Sequence, residues 1–369
     1  AGNYTGTADD YIVSSTYLTR IKQVIDWSLG EGLVTILDFH GEDIQKEFVY
    51  TFDSVESSQY THPNSAKRAA DKEKFLAIWA QLATEFNDHS ENLLFEIINE
   101  PYFHMSSIDM NTLNTDVLAI IRGTGVNNST RNVIITGGGG IDLGDGGDDL
   151  DKTSYEVLDE IDDGIMSNDD HLIATFHYYK PFGFSSSSKG NFNTETWGTS
   201  GDKTAVKNHF IVVNTFSTNH NNIPVFLGEF GADNTGGYDY STGDLNAITT
   251  NTTGFADGGP DNASRVEYHR FVAEEAIVEK GWSFAAWDSG PNSNKTINKR
   301  TDNTSTLNYN INNFLVYSYT PKLTNISTVL DTSVWVEDVK NALVNMILSP
   351  TNLLSQFNPT FTSANNWQH

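Results

Sequence analysis

Six short apolar runs recur along the chain, each cored by β-branched or aromatic residues and each closing on polar or charged ones. They are LVTILDFHGE (33–42), LLFEIINEP (93–101), NVIITGGGG (132–140), LIATFHYYKP (172–181), PVFLGEFG (224–231) and WSFAAWDSG (282–290). Between them the period changes to that of a helix. Residues 17–29 carry Leu18, Ile21, Val24, Ile25 and Leu29 at helical spacing after a cap at Ser15, and residues 66–86 line up Phe75, Leu76, Trp79, Leu82, Ala83 and Phe86. Two more helices are predicted over 110–122 and 263–280. Near-continuous apolar strands alternating with amphipathic helices predict a parallel sheet covered on its faces.

Two parallel architectures fit that pattern. An open doubly wound sheet calls for a glycine-rich turn after its first strand. The longest glycine run, GGGG at 137–140, follows a later strand and lacks a nucleotide-binding context. A barrel places its chemistry on loops at the C-terminal ends of several strands, which is where the polar residues fall here. No Pro-rich or Ser-rich linker divides the 369 residues, so 1–350 is read as a single catalytic domain and 351–369 as a polar tail.

Charge and composition narrow the partner. There are 48 acidic residues against 22 Lys plus Arg, a formal net charge of -26, which repels nucleic acid and anionic membrane and favours a neutral partner. Cysteine is absent, which excludes disulfides, thiol catalysis and thiolate metal sites. The opening AGNYTGTADD has no signal-peptide pattern, and no run of 18 apolar residues occurs. A soluble chain is expected.

Two glutamates stand out. Glu100, in NEP, and Glu229, in GEFG, each sit where a strand meets its following loop. Two carboxyls at one barrel mouth can share glycosidic chemistry, one protonating the leaving oxygen while the other attacks the anomeric carbon. The bland alternative for either is a helix cap or a salt-bridged rim residue.

Taken together, these motifs resemble glycoside hydrolase family 5, the endoglucanase and mannanase family, over about residues 16–348. The resemblance implies a (β/α)8 TIM barrel and a retaining mechanism without a required cofactor. INEP resembles the acid/base motif, making Glu100 the proton donor and Asn99 the partner of the sugar 2-hydroxyl. LGEFG resembles the nucleophile motif, making Glu229 the residue that forms the glycosyl-enzyme. FHYYKP implies that His177 lines the site and that Tyr179 donates a hydrogen bond to the nucleophile. LDFHGE places His40 at the cleavage subsite, and AAWDSG makes Trp287 a sugar platform. Retention implies the two carboxyls lie about 5–5.5 Å apart.

Other residues extend the reading. Tyr178 is expected to point away from the site, because strand side chains alternate. Trp197, in a polar loop, is a candidate for stacking on a neighbouring sugar, with a loop anchor as its alternative. The aspartates of the 142–151 loop offer hard oxygen ligands for Ca2+, against the reading of a solvated acidic loop. The substrate reading is β-1,4-glucan, with mannan or xyloglucan, or a non-catalytic carbohydrate-binding role, as alternatives, acting as a secreted protein.

One departure from the family follows. With 33–38 matched to the family's third strand, strands 1 and 2 have no identifiable place, and the arginine that family carries on strand 2 is matched by none here. Three explanations are open: a lost first βαβα portion, replacement by the strand-like 306–323, or a second chain that closes the barrel.

Overall fold

The computed structural model describes residues 4–5, 11–40, 66–101, 106–139, 153–187, 194–235, 238–239, 244–245, 259–288, 295, 297–300, 333–335 and 337–347. Its central element is a sheet of six strands: β1 (Thr35–Asp38), β2 (Leu93–Glu96), β3 (Val133–Ile135), β4 (Leu172–Tyr178), β5 (Val225–Phe230) and β6 (Ser283–Ala286). Neighbours in the sheet are neighbours in sequence, in the order β6-β5-β4-β3-β2-β1. Pairings β1–β2, β2–β3 and β3–β4 are all parallel, with registers such as Ile36↔Leu94 and Ile134↔Ile173. All six apolar runs therefore become strands of one sheet.

The chain divides into two compact units, one holding Ala1–Phe176 with Val212–Phe226, the other His177–Ile211 with Leu227–Thr360. The division falls within β4 and β5.

In the first unit, Leu94, Ile134, Ile173 and Phe226 form a buried layer joined by Ile36, one side chain from each of five consecutive strands. Such a layer is how parallel strands fill the space on their inner face. The opposite face takes the helices. Phe95 packs 5.6 Å from Trp79 of α2 (Ala66–Glu85), and the Trp79 indole donates to the Ile97 carbonyl at 3.1 Å. Strands β2, β3 and β4 are buried throughout, whereas β1 and β6, at the ends of the sheet, are half-buried or in part exposed.

Helix α1 (Ser15–Gly30) begins one residue earlier than the cap expected at Ser15. Ser14 occupies the cap position, and the Ser15 carbonyl instead accepts from Thr19 inside the helix. α3 (Ser107–Gly123) is capped by Ser106, whose hydroxyl accepts from the Asp109 N–H. A long helix not assigned from the sequence pattern, α4 (Ser200–Asn219), precedes β5. α5 (Asn262–Glu274) passes into a single π turn over Glu275–Glu279 rather than running unbroken to 280. Near the C-terminal end, Ser333–Trp335 pairs antiparallel with Asn298–Arg300 before α6 (Glu337–Ile347). The 306–323 segment lies outside the described residues, as does the 142–151 acidic loop.

Candidate active site

In the first unit the polar cluster grows from the ends of β1 and β2. Past Glu96 the chain continues to pair alternately with its neighbours: Ile97 N–H donates to the Ile134 carbonyl at 3.2 Å, and Asn99 N–H to the Phe39 carbonyl at 3.0 Å. That pairing carries Asn99 to a buried position at the strand mouth. His40 stands beside it. Its Nδ1 lies 2.6 Å from Asp38 Oδ2 and its Nε2 3.5 Å from Asn99 Nδ2. An ionised Asp38 can only accept, so Nδ1 carries the proton and Nε2 is left as the acceptor facing Asn99.

Glu100 then turns with φ 46°, a left-handed conformation that costs a non-glycine residue about 1 kcal/mol or more. Pro101 makes this less favourable still, because the residue before proline prefers extended backbone. Such strain persists where the surroundings dictate it, and functional sites are where it gathers. Asn99 and Glu100, adjacent in sequence, are thereby turned out of the strand's regular alternation.

The second unit supplies the other cluster. At the end of β5, the Tyr179 hydroxyl donates to Glu229 Oε2 at 2.9 Å, and His177 Nδ1 lies 3.4 Å from the same oxygen. Glu229 is half-buried and His177 buried. A hydroxyl donor stabilises the charged form of a carboxylate, so this geometry favours an ionised, oriented Glu229. Trp287, half-buried just beyond β6, donates its backbone N–H to the Phe230 carbonyl at 2.9 Å and so stands beside the residue following Glu229. Tyr178 points the other way, as strand alternation requires. Its hydroxyl is 2.9 Å from His209 Nδ1 and its ring meets Phe210 of α4 edge-on at 5.2 Å.

Trp197 does not present a sugar-stacking face. It is 6% exposed, with its ring edge-on to Tyr268 at 5.2 Å and 5.8 Å from Phe271, while its backbone N–H donates to Ser264 Oγ at 2.9 Å. The loop-anchor alternative describes it: Phe184, 6.4 Å away, joins Tyr268 and Phe271 around the ring, and the sugar role is not carried forward.

Behind Glu229 the sequence reading missed a buried polar cluster. Lys295 Nζ lies 2.7 Å from Asp233 Oδ1, and Arg265 of α5 donates from Nε to the Ala232 carbonyl at 3.3 Å. Burial pulls the Arg265 guanidinium down to about 10, and the opposing charges of Asp233 and Asp288 limit the drop. His269 is held neutral, pulled down to about 3 mainly by burial and further by Arg265. The only hint in the sequence is the acid in GAD, two residues past the nucleophile motif's last glycine; its partners lie on distant elements.

The chain is similar to known proteins in sequence and in fold. A family model described as cellulase, glycosyl hydrolase family 5, matches residues 1–293. Endoglucanase H of Acetivibrio thermocellus is 33% identical over 288 residues, 78% of this chain and 24% of that protein. Endoglucanase A of Paenibacillus barcinonensis is 27% identical over 268 residues, covering 67% and 62%. The chain thus spans less than two thirds of the length of these relatives. Among solved structures, an endoglucanase superposes with a TM-score of 0.61 at 23% identity, covering 93% of this chain and 82% of its own. A broad-specificity endoglucanase from an uncultured bovine rumen ciliate gives 0.63 at 20% identity, over 94% and 80%. These likenesses place the fold in the (β/α)8 barrel class, of which the described sheet supplies six strands.

Proposed function

This chain belongs to glycosyl hydrolase family 5, and from that premise we propose that it cleaves β-1,4-glucan internally with retention of configuration. The observation that carries the proposal is the carboxylate of Glu229, held at the end of β5 by the Tyr179 hydroxyl at 2.9 Å with His177 alongside. A carboxylate kept ionised and oriented in this way is a nucleophile.

In the first displacement, Glu229 attacks the anomeric carbon and forms an ester while Glu100 donates its proton to the departing glycosidic oxygen. The C–O bond to the leaving chain breaks as the ester bond forms. In the second, Glu100, now a carboxylate, takes a proton from water. The resulting hydroxide equivalent displaces Glu229 and regenerates both residues. Asn99, steered by its contact with His40, offers its amide to the sugar 2-hydroxyl, a bond that strengthens in the transition state. Trp287 offers an aromatic face to the apolar side of a pyranose. None of these steps calls for a metal.

The relatives above are named endoglucanases, which supports a β-glucan as the substrate class. A polymer of that size does not cross a membrane, so the place of action is outside the cell. No helix among the described residues is long and apolar enough to span a bilayer.

Release of reducing ends from soluble β-1,4-glucan, mannan, xyloglucan and mixed-linkage glucan tests the reading. The expected result is a rapid fall in viscosity with β-1,4-glucan, absent in Glu229→Ala. A wild-type protein inert on all four, yet binding them, would establish a carbohydrate-binding role instead.

A further inference from the structure

Lys295 occupies a costly position. The residue is 4% exposed, and an ammonium group taken out of water needs a partner. Asp233, itself 0% exposed, supplies one at 2.7 Å. The other side of Nζ faces the Tyr179 ring, 5.4 Å from its centroid, within the range of a cation–π contact. The lysine stem passes beside Gly231, two residues after Glu229: a Cβ there would stand 3.5 Å from Lys295 Cδ.

The same partners also hold the tyrosine's backbone. Asp233 N–H donates to the Ser185 carbonyl at 2.9 Å, and Ser185 Oγ donates to the Tyr179 carbonyl at 2.5 Å. Lys295, Asp233 and Ser185 thus reach Tyr179 from its ring and from its main chain, while its hydroxyl is spent on Glu229. A pair serving stability alone has no need to lie on the face of this ring. A cation there draws electron density from the phenol, which makes its O–H a stronger donor to a carboxylate.

We infer that Lys295 is a positioning residue for the reaction, acting on the nucleophile Glu229 through Tyr179. This rests on the glycosidase reading above. Asp233 holds the lysine in place, and Arg265 holds the strand end that carries Asp233 by bonding the Ala232 carbonyl.

A double-mutant cycle separates this from a packing role. If Lys295 acts through the tyrosine, Lys295→Met lowers kcat about 10-fold in the wild-type background but less than about 2-fold in Tyr179→Phe, with KM little changed in both. Lys295→Arg, which keeps the cation, should hold kcat within about 3-fold of wild type. Lys295→Gln carries the same cycle if the methionine variant does not fold. Losses that multiply in the double variant, or a folded Lys295→Met with unchanged kcat, overturn the inference while leaving the glycosidase reading intact. Glu229→Ala, assayed alongside, tests that reading separately: turnover by this variant would sink both.

Discussion

The Tyr179 hydroxyl donates to Glu229 Oε2 at 2.9 Å, and both residues stand at the ends of adjacent strands of one sheet. The bond favours the ionised carboxylate and holds it oriented for attack on the anomeric carbon. Tyr179→Phe keeps the ring and removes only the donor. A hydrogen bond to a charged group contributes about 1.5–3 kcal/mol, so kcat/KM on soluble β-glucan should fall about 10- to 100-fold. Steady-state kinetics at the pH optimum measure this, and a change under about 2-fold would show that the bond does not matter to the reaction.

Roles are separated by leaving group. Glu229→Ala should be inert on every substrate, because no other group is assigned to form the ester. Glu100→Ala should still form the glycosyl-enzyme from aryl glycosides whose leaving group needs no proton, and then stall for want of a base. Added azide should give a β-glycosyl azide with the Glu100 variant and an α-glycosyl azide with the Glu229 variant. NMR of the products decides, and the opposite pairing would exchange the two assignments.

The strand ends were legible because β-branched runs closing on Glu, His or Asp are short, local patterns. The strained turn at Glu100 was not, since a positive φ before proline leaves no compositional trace. α4 was readable in principle. Val206, Phe210, Val213 and Phe216 are all buried at helical spacing, and Thr199 and Asp202 exchange N-cap hydrogen bonds. Its β-branched residues and polar approach masked the period. Trp197 stayed open between two readings for a different reason: a polar loop sequence says nothing of the Tyr268 and Phe271 rings that enclose it. Lys295 finds its counter-charge 62 residues earlier in the chain, a pairing that only the fold creates.

Arg131 ties the first unit together. The side chain is 0% exposed. Its Nε donates to Asn128 Oδ1 at 2.5 Å, and its terminal nitrogens donate to the carbonyls of Ser90, Leu93, Phe86 and His89. The guanidinium also lies 4.9 Å from the Phe95 ring centroid. Burial brings it down to about 10, with nearby Arg122 adding to the effect, so it remains charged at neutral pH. Arg131→Met fills much of the volume but leaves buried carbonyls without donors. A loss of about 3–5 kcal/mol is expected from urea unfolding at pH 7. A loss below about 1 kcal/mol would mean that water enters and replaces the guanidinium.

His269 makes stability depend on pH in a direction set by its depressed pKa. Its Nδ1 is 2.8 Å from the Arg265 carbonyl, which fixes the proton there, and its buried Nε2 has no hydrogen-bond partner among the described residues. The Arg265 and Lys295 cations disfavour a second proton, and the Phe230 and Tyr268 rings offer an imidazolium no hydrogen-bond acceptor. Folded His269 therefore stays neutral down to about 3, against an ordinary value of 6.5 when unfolded. Above pH 6.5 the group is neutral in both states and contributes no pH dependence. Below it the unfolded chain takes up a proton that the folded chain refuses, so stability falls as the pH falls, by about 1.4 kcal/mol per unit at full effect. Below about 3 both states are protonated and this contribution levels off. His269→Gln removes the titration, so between pH 6.5 and 4.5 the wild type should lose about 2–3 kcal/mol more unfolding free energy than the variant. Equal losses in the two proteins would mean that His269 protonates without unfolding, and that the cations beside it move to let it do so.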